Sequence, residues 1–225
     1  MLKRTFVIAG KDLKLSLSGG QGLVQAVLLG LLLIFLFSLS KPLGGAISPQ
    51  AAGAIFWLAS AFGLVLVFND LFAIEEMNGA RIGILSSPAP VHAVWLGKGL
   101  AGFSLLFVSQ LVFLPATAAF LGQSVHGPWW LLWVTLLGAD AGLVIIGALL
   151  GALSQGQAAR ESLLSVIVFP LLLPVLLSGI TLFGLCFSPE HTMGYDKWLG
   201  LIFAFDSLFG GAGLFLFPFV YSGEE

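Results

Sequence analysis

Several stretches of this chain run for about twenty residues with no polar face, which restricts it to very few kinds of fold. Residues 100–121 and 129–153 are too long for the strand of a soluble sheet and too evenly apolar for an amphipathic helix. A backbone in hydrocarbon must satisfy its own hydrogen bonds, so such runs resolve into spanning α-helices. The strands of a closed barrel would alternate in polarity at every second residue, and these runs do not. The sequence therefore predicts an all-α integral membrane protein with six transmembrane helices, at 22–39, 52–68, 100–121, 129–153, 163–185 and 198–221. Each break has a cause: Lys41-Pro42 and Gly44-Gly45 after the first span, His126-Gly127-Pro128 between the third and fourth, and a polar stretch at 154–162 before the fifth. Composition agrees, since 58% of the 225 residues are hydrophobic and 9% are charged, against about a quarter charged in soluble domains. Too few charges remain to coat a soluble enzyme, and the apolar content is too high for disorder. A net charge of -2 offers no basic face to nucleic acid. The single Cys186 excludes an internal disulfide framework and a cysteine metal site.

Cations set the expected orientation. Lys3, Arg4, Lys11, Lys14, Arg81, Lys98 and Arg160 fall on one side, and only Lys41 and Lys197 on the other. The positive-inside bias then places both termini in the cytoplasm, with Trp129, Trp130, Trp133 and Trp198 at the outer interface. The first span is expected to be retained rather than cleaved, because Lys41-Pro42 stands where small residues would guide a peptidase. Ahead of it, Leu2, Phe6, Leu13 and Leu17 fall close to one helical face and the cations mostly elsewhere. Residues 1–19 thus read as a cytoplasmic interfacial helix as well as a topology signal.

The connection after the second span, 70–98, is the most informative stretch. It places Asp70, Glu75 and Glu76 within seven residues and continues to Ser86-Ser87-Pro88. Ile74, Met77, Ile82 and Leu85 form an apolar arc interrupted by Asn78 and Arg81. Gly79 is a poor helix interior residue, so two short helical pieces are expected. Such an element beneath a bundle suits the docking of a soluble partner; the plainer alternative is a solvated loop capping helix ends.

The string Phe72-Ala73-Ile74-Glu75, with Gly79, Leu85, Pro88 and then Leu96-Gly97-Lys98, resembles the heme exporter B family (CcmB). The opening Lys11-Asp12-Leu13-Lys14-Leu15 is similar to that family's basic pre-span helix. Met77-Asn78 dilute the charge that the family carries before its glycine, and Asp140 stands where a small or hydroxyl residue is expected. The resemblance implies a non-catalytic, ABC-2-like permease half in cytochrome c biogenesis, in a bacterial inner membrane. Its function would be heme export or the release of a heme-loaded chaperone. It implies a separate CcmA-like ATPase, a CcmC-like heme-handling subunit, a small CcmD-like subunit and a second copy of the chain. ATP would sit on the partner, and heme would be cargo rather than a resident cofactor. The residues that would couple to the ATPase are Asp70, Phe72, Glu75, Glu76, Gly79, Arg81, Leu85 and Pro88. Independently, the chain has no phosphate-binding loop, since Gly10-Lys11 is followed by Asp12 and Gly97-Lys98 by Gly99. A lipid or drug exporter subunit of the same fold, or a scaffold that moves nothing, remains an alternative on the sequence. An intramembrane hydrolase lacks its signatures, Gly-x-Ser-x-Gly and His-Glu-x-x-His.

Two carboxylates fall inside spans. Asp140 lies mid-span and must face protein or water, either in a translocation or gating path or as a packing group hydrogen-bonded across helices. Asp206 invites the same argument with less force. Gly138 with Gly142, and Gly147 with Gly151, form two small-x-x-x-small pairs suited to close helix contact. His126 beside Trp129 and Trp130, and His191, are the candidate heme contacts, with the ordinary reading of loop histidines beside an aromatic belt. No Cys-x-x-Cys-His and no tryptophan-rich heme-handling signature occurs.

Overall fold

A computed structural model describes residues 1–19, 21–40, 47–77, 83, 90–154, 158–189 and 194–222. Within them the chain forms α1 (Leu2–Ser18), α2 (Gly22–Leu39), α3 (Pro49–Met77), α4 (Val91–Leu121), α5 (Trp129–Ser154), α6 (Ala158–Phe187) and α7 (Tyr195–Ser222). Local chemistry sets the ends. Ser48 accepts the Ala51 amide on its Oγ at 3.2 Å and Pro49 opens α3, the preferred pairing of an oxygen cap with proline at the first helical position. α4 follows extended Pro90 and stops at Gly122, which takes a left-handed conformation (φ 69°) that a side chain would disfavour.

α2 to α7 are each long and apolar enough to cross a bilayer. They alternate in direction. One end of the bundle gathers the close of α2, α4 and α6 with the start of α3, α5 and α7; the other carries α1. Links at the first end are specific: Ser38 Oγ donates to the Phe120 carbonyl at 2.8 Å, and Gln123 Nε2 to that of Ile47 at 2.9 Å. Trp129 and Trp130 are exposed there.

α3 is the central helix, packed by α2, α4, α5 and α6. Its Phe56 stacks on Phe183 of α6 at 4.7 Å, and Trp57 meets the same ring edge-on at 5.2 Å. Gly179 leaves the space into which the Trp57 indole fits. The two glycine pairs of α5 serve different neighbours. Gly138 and Gly142 face Ile202, Phe205 and Asp206 of α7, while Gly147 and Gly151 receive Phe68 and Phe72 of α3.

Two helices exceed their expected bounds by nine residues at one end. α3 continues past residue 68 to Met77, and α4 begins at Val91 rather than at 100. Much of the expected 70–98 loop is therefore the prolongation of two spans. The reason is packing: Leu71, Phe72 and Glu75 are buried on α3, as are Ala93, Val94, Trp95 and Lys98 on α4. The Gly79 break expected between two short pieces lies outside the described residues.

α1 lies along α4 and touches α2 and α3. It presents three faces. Thr5, Ala9, Asp12 and Ser16, one residue per turn, turn into the protein. Leu2, Phe6 and Leu17 stay exposed, while Leu13 packs on the core. Lys3 and Lys14 are exposed as well. An exposed apolar edge beside exposed cations suits the membrane interface, but α1 is held to the bundle by its small and polar residues.

Candidate functional site

The densest charge in the described protein lies where α1 crosses the ends of α3 and α4. Lys98 is fully buried, and its Nζ stands 2.9 Å from Glu75 Oε2 and 3.5 Å from Asp12 Oδ2. It donates to the Leu71 carbonyl at 3.3 Å and sits 4.5 Å above the Phe72 ring. Lys11 completes the group, 2.8 Å from Asp12 Oδ1 and 3.7 Å from Glu75 Oε1. Glu75 and Asp12 are 3% and 4% exposed and Lys98 is fully buried, while the Lys11 side chain, 37% exposed, closes the group on its solvent side. Charges taken out of water are tolerated only with such close partners.

The neighbouring residues make this approach feasible. Gly97 lets α1 close on α4, since a Cβ there would stand 2.7 Å from Ile8 Cγ2 and 3.1 Å from the Thr5 carbonyl oxygen. One turn further along α1, Ser16 Oγ donates to Asp70 Oδ2 at 3.1 Å, and Gly22 leaves the space that the Asp70 side chain fills. Leu96-Gly97-Lys98 is thus a structural unit: the glycine admits α1, and the lysine holds it.

A second polar cluster crosses the bundle at depth. Ser60, Gln110 and Asp140 each lie eleven residues from the same end of their helices, which start or stop at Pro49, Leu121 and Trp129. At 1.5 Å per residue that is about 16 Å, close to half the ~30 Å hydrocarbon thickness. Gln110 Nε2 donates to Asp140 Oδ1 at 2.7 Å and to Ser60 Oγ at 3.1 Å, and Ser60 Oγ donates in turn to the Phe56 carbonyl at 3.0 Å. All three residues are fully buried. Asp140 therefore ties α5 to α4 and, through Gln110, to α3. Asn at 140 keeps an acceptor for Gln110, so Asp140→Asn is expected to retain normal membrane levels and a normal unfolding midpoint in detergent. Asp140→Leu strands the buried amide, at a cost of about 1–3 kcal/mol, and should lower the unfolding midpoint in detergent. A midpoint lowered as far by Asp140→Asn as by Asp140→Leu would assign the carboxylate a charged role instead.

Asp206 faces elsewhere, with its Oδ1 against Gly142 at the α5–α7 contact. The two intramembrane carboxylates thus have different neighbours.

At the opposite end, the turn before α5 is pinned to the close of α6. The amides of His126 and Gly127 both donate to the Cys186 carbonyl at 2.9 Å. His126 Nδ1 lies 3.0 Å from the Ser124 carbonyl and 3.2 Å from that of Phe187, which fixes it as the protonated nitrogen. Nε2 meets Ser124 Oγ at 3.2 Å. His126 is exposed rather than set in an apolar slot, and Trp129 and Trp130 are 62% and 49% exposed. A cavity of about 300 Å³ nearby is lined mainly by apolar residues, including Pro115, Leu132, Trp133 and Phe187.

Of the residues singled out from the sequence, Phe72 and Glu75 meet around Lys98, and Asp70 is tied to Ser16. The Glu75 carboxylate, expected to face a partner, is engaged inside the chain. Glu76 lies in the last turn of α3. Gly79, Arg81, Leu85, Pro88 and His191 lie outside the described residues. Sequence reasoning passed over Lys11, Asp12, Lys98, Ser60 and Gln110 as site residues. Gln110 carried a usable signal, an amide in mid-span. Lys98 carried less, because a cation near a span end reads first as a topology marker.

An all-helical, six-span membrane protein with a charged cluster at one end and a polar tie at mid-depth is the class that fold and site define. Within it, the CcmB protein family matches residues 3–221, and the chain belongs to that family. Its relatives include heme exporter protein B of Haemophilus influenzae, 28% identical over 170 residues that make up 76% of each chain. Heme exporter protein B of Paracoccus denitrificans is 31% identical over 75% of this chain and 77% of its own. That of Rhodobacter capsulatus is 26% identical over 78% and 80%.

Proposed function

We infer that the chain is the membrane subunit of an ATP-driven exporter serving cytochrome c maturation. Its end carrying α1 faces the cytoplasm, and a separate ATPase docks on the connection between α3 and α4. The observation that carries this reading is the Lys98–Glu75 pair at 2.9 Å, which clamps both stems of that connection at their base. A clamped connection moves with its helices, so a push on it reaches the spans as a rigid-body change. The relatives' name, heme exporter protein B, supports heme as the cargo class, free or on a chaperone in this reading, and the absence of a phosphate loop in the sequence supports an external energy source. Heme is cargo of the assembly, handled by partner subunits, and a second copy of this chain completes the permease.

Purification of the tagged chain from membranes in mild detergent tests the class: an ATPase and heme-handling subunits should accompany it. Glu75→Ala with Glu76→Ala is expected to reduce ATPase recovery several-fold, and undiminished recovery from a well-expressed double variant would sink the docking role. His126→Ala should leave cytochrome c maturation within about two-fold of normal, because the histidine is exposed and its Nδ1 is occupied by backbone carbonyls. A ten-fold loss at normal protein levels would make it a heme ligand.

A further inference from the structure

We propose that Lys98 is the positioning residue of the coupling element, and that α1 belongs to that element rather than serving only as a membrane anchor. The inference rests on the docking reading above and deepens it.

Three separate pieces of chain converge on one ammonium group. Asp12 comes from α1, Glu75 and the Leu71 carbonyl from the end of α3, and Lys98 itself from the second turn of α4. In sequence, residues 78–89 connect the end of α3 at Met77 to Pro90 ahead of α4. The two ends of the connection are therefore joined below it, and α1 is joined to both. The remaining contacts follow the same plan, since Gly97 seats α1 on α4 and Ser16 ties it to Asp70 of α3. Four side chains of α1, about one per turn, are buried against the bundle, yet the edge bearing Leu2, Phe6 and Leu17 is left exposed. An anchor needs only the exposed apolar edge. The buried polar stripe, with an acid at its centre matched to a fully buried lysine, is what a helix needs to move together with α3 and α4.

Lys98 does not contact the partner in this scheme, being fully buried. It fixes the spacing of the stems and the seat of α1, so that the partner meets a single body. Glu75, 3% exposed, acts on docking in the same indirect way.

The test uses the full chain with Cys186→Ser, which removes its single thiol, and Ala9→Cys as a reporter on the buried stripe of α1, where Ala9 is 5% exposed. A water-soluble maleimide in detergent extract reads whether α1 is seated. The decisive variant is Asp12→Asn with Glu75→Gln and Lys98→Met, which keeps volume and leaves no unpaired charge among the three. It should accumulate normally, label at position 9 at least ten-fold faster than the reporter chain, and recover several-fold less ATPase. Lys98→Arg keeps the cation and should hold both readouts within two-fold of the reporter chain. Continued protection of position 9 in the triple variant overturns the proposal, and so does rapid labelling with undiminished ATPase recovery. Failure of the docking reading looks different: the reporter chain itself then recovers no ATPase, while labelling still reports whether Lys98 seats α1.

Discussion

Lys98→Met alone should strip most of the folded protein from the membrane. Methionine matches the volume but removes the cation from between Asp12 and Glu75, which are 4% and 3% exposed. Lys11 lies 2.8 Å from Asp12 but 3.7 Å from Glu75, so it compensates Glu75 poorly. Breaking a buried ion pair from one side costs about 3–5 kcal/mol, because a charge is left in a dry site. That is a large part of the about 5–15 kcal/mol that stabilises an ordinary domain. Membrane levels by immunoblot and the unfolding midpoint in detergent measure the loss. Neutralising Asp12 and Glu75 in the same chain should return most of the stability, since the one charge then left without a partner, Lys11, has a side chain 37% exposed to solvent. If the single and triple variants are equally stable, the four groups do not form the coupled cluster described.

The second large effect concerns Phe68. Its ring lies between two glycines, Gly102 of α4 and Gly147 of α5, both of which leave room that a Cβ would take. Lipid tails are as apolar as the ring, so what holds these helices together is close dispersion contact rather than exclusion of water. Phe68→Ala opens a cavity at the junction of three helices and should cost about 3–5 kcal/mol. Gly147→Leu overfills the same slot and should also destabilise, by about 1–3 kcal/mol. Combined, the new leucine occupies part of the vacated space, so the double variant should be more stable than the sum of the single losses predicts. Strict additivity of the midpoints would mean that the ring and Gly147 do not share one space.

Both predictions depend on contacts between residues far apart in the chain, and this separates what could be read from the sequence from what could not. The spans at 22–39 and 129–153 were legible almost to the residue, because hydrocarbon forces a helix on any long apolar run and Pro, Gly and polar clusters end it. The bounds of α3 and α4 were not. Residues 69–77 and 91–99 carry Asp70, Glu75, Glu76 and Lys98, and charge at a span end reads as loop. They continue as helix because Glu75 and Lys98 meet across them, a pairing invisible until the helices are placed side by side. The glycine pairs of α5 were recognised as packing surfaces, but their division between α7 and α3 follows from the helix's rotation in the bundle. Asp140 was recognised as needing a partner. That the partner is Gln110, bridged to Ser60, follows from equal depth in three helices.

The sequence alone determined that lipid is this protein's solvent and that its backbone must be helical, because long apolar segments permit no other way to satisfy their peptide groups. It also marked Asp140 and the acidic stretch near Glu75 as positions where charge requires an explanation. The tertiary structure decided which charges meet. Whether Glu75 faces a partner or Lys98 depends on how α1, α3 and α4 cross, and the crossing is set by side-chain volumes at Gly97, Phe72 and Gly151 acting together. No local window of sequence contains that sum.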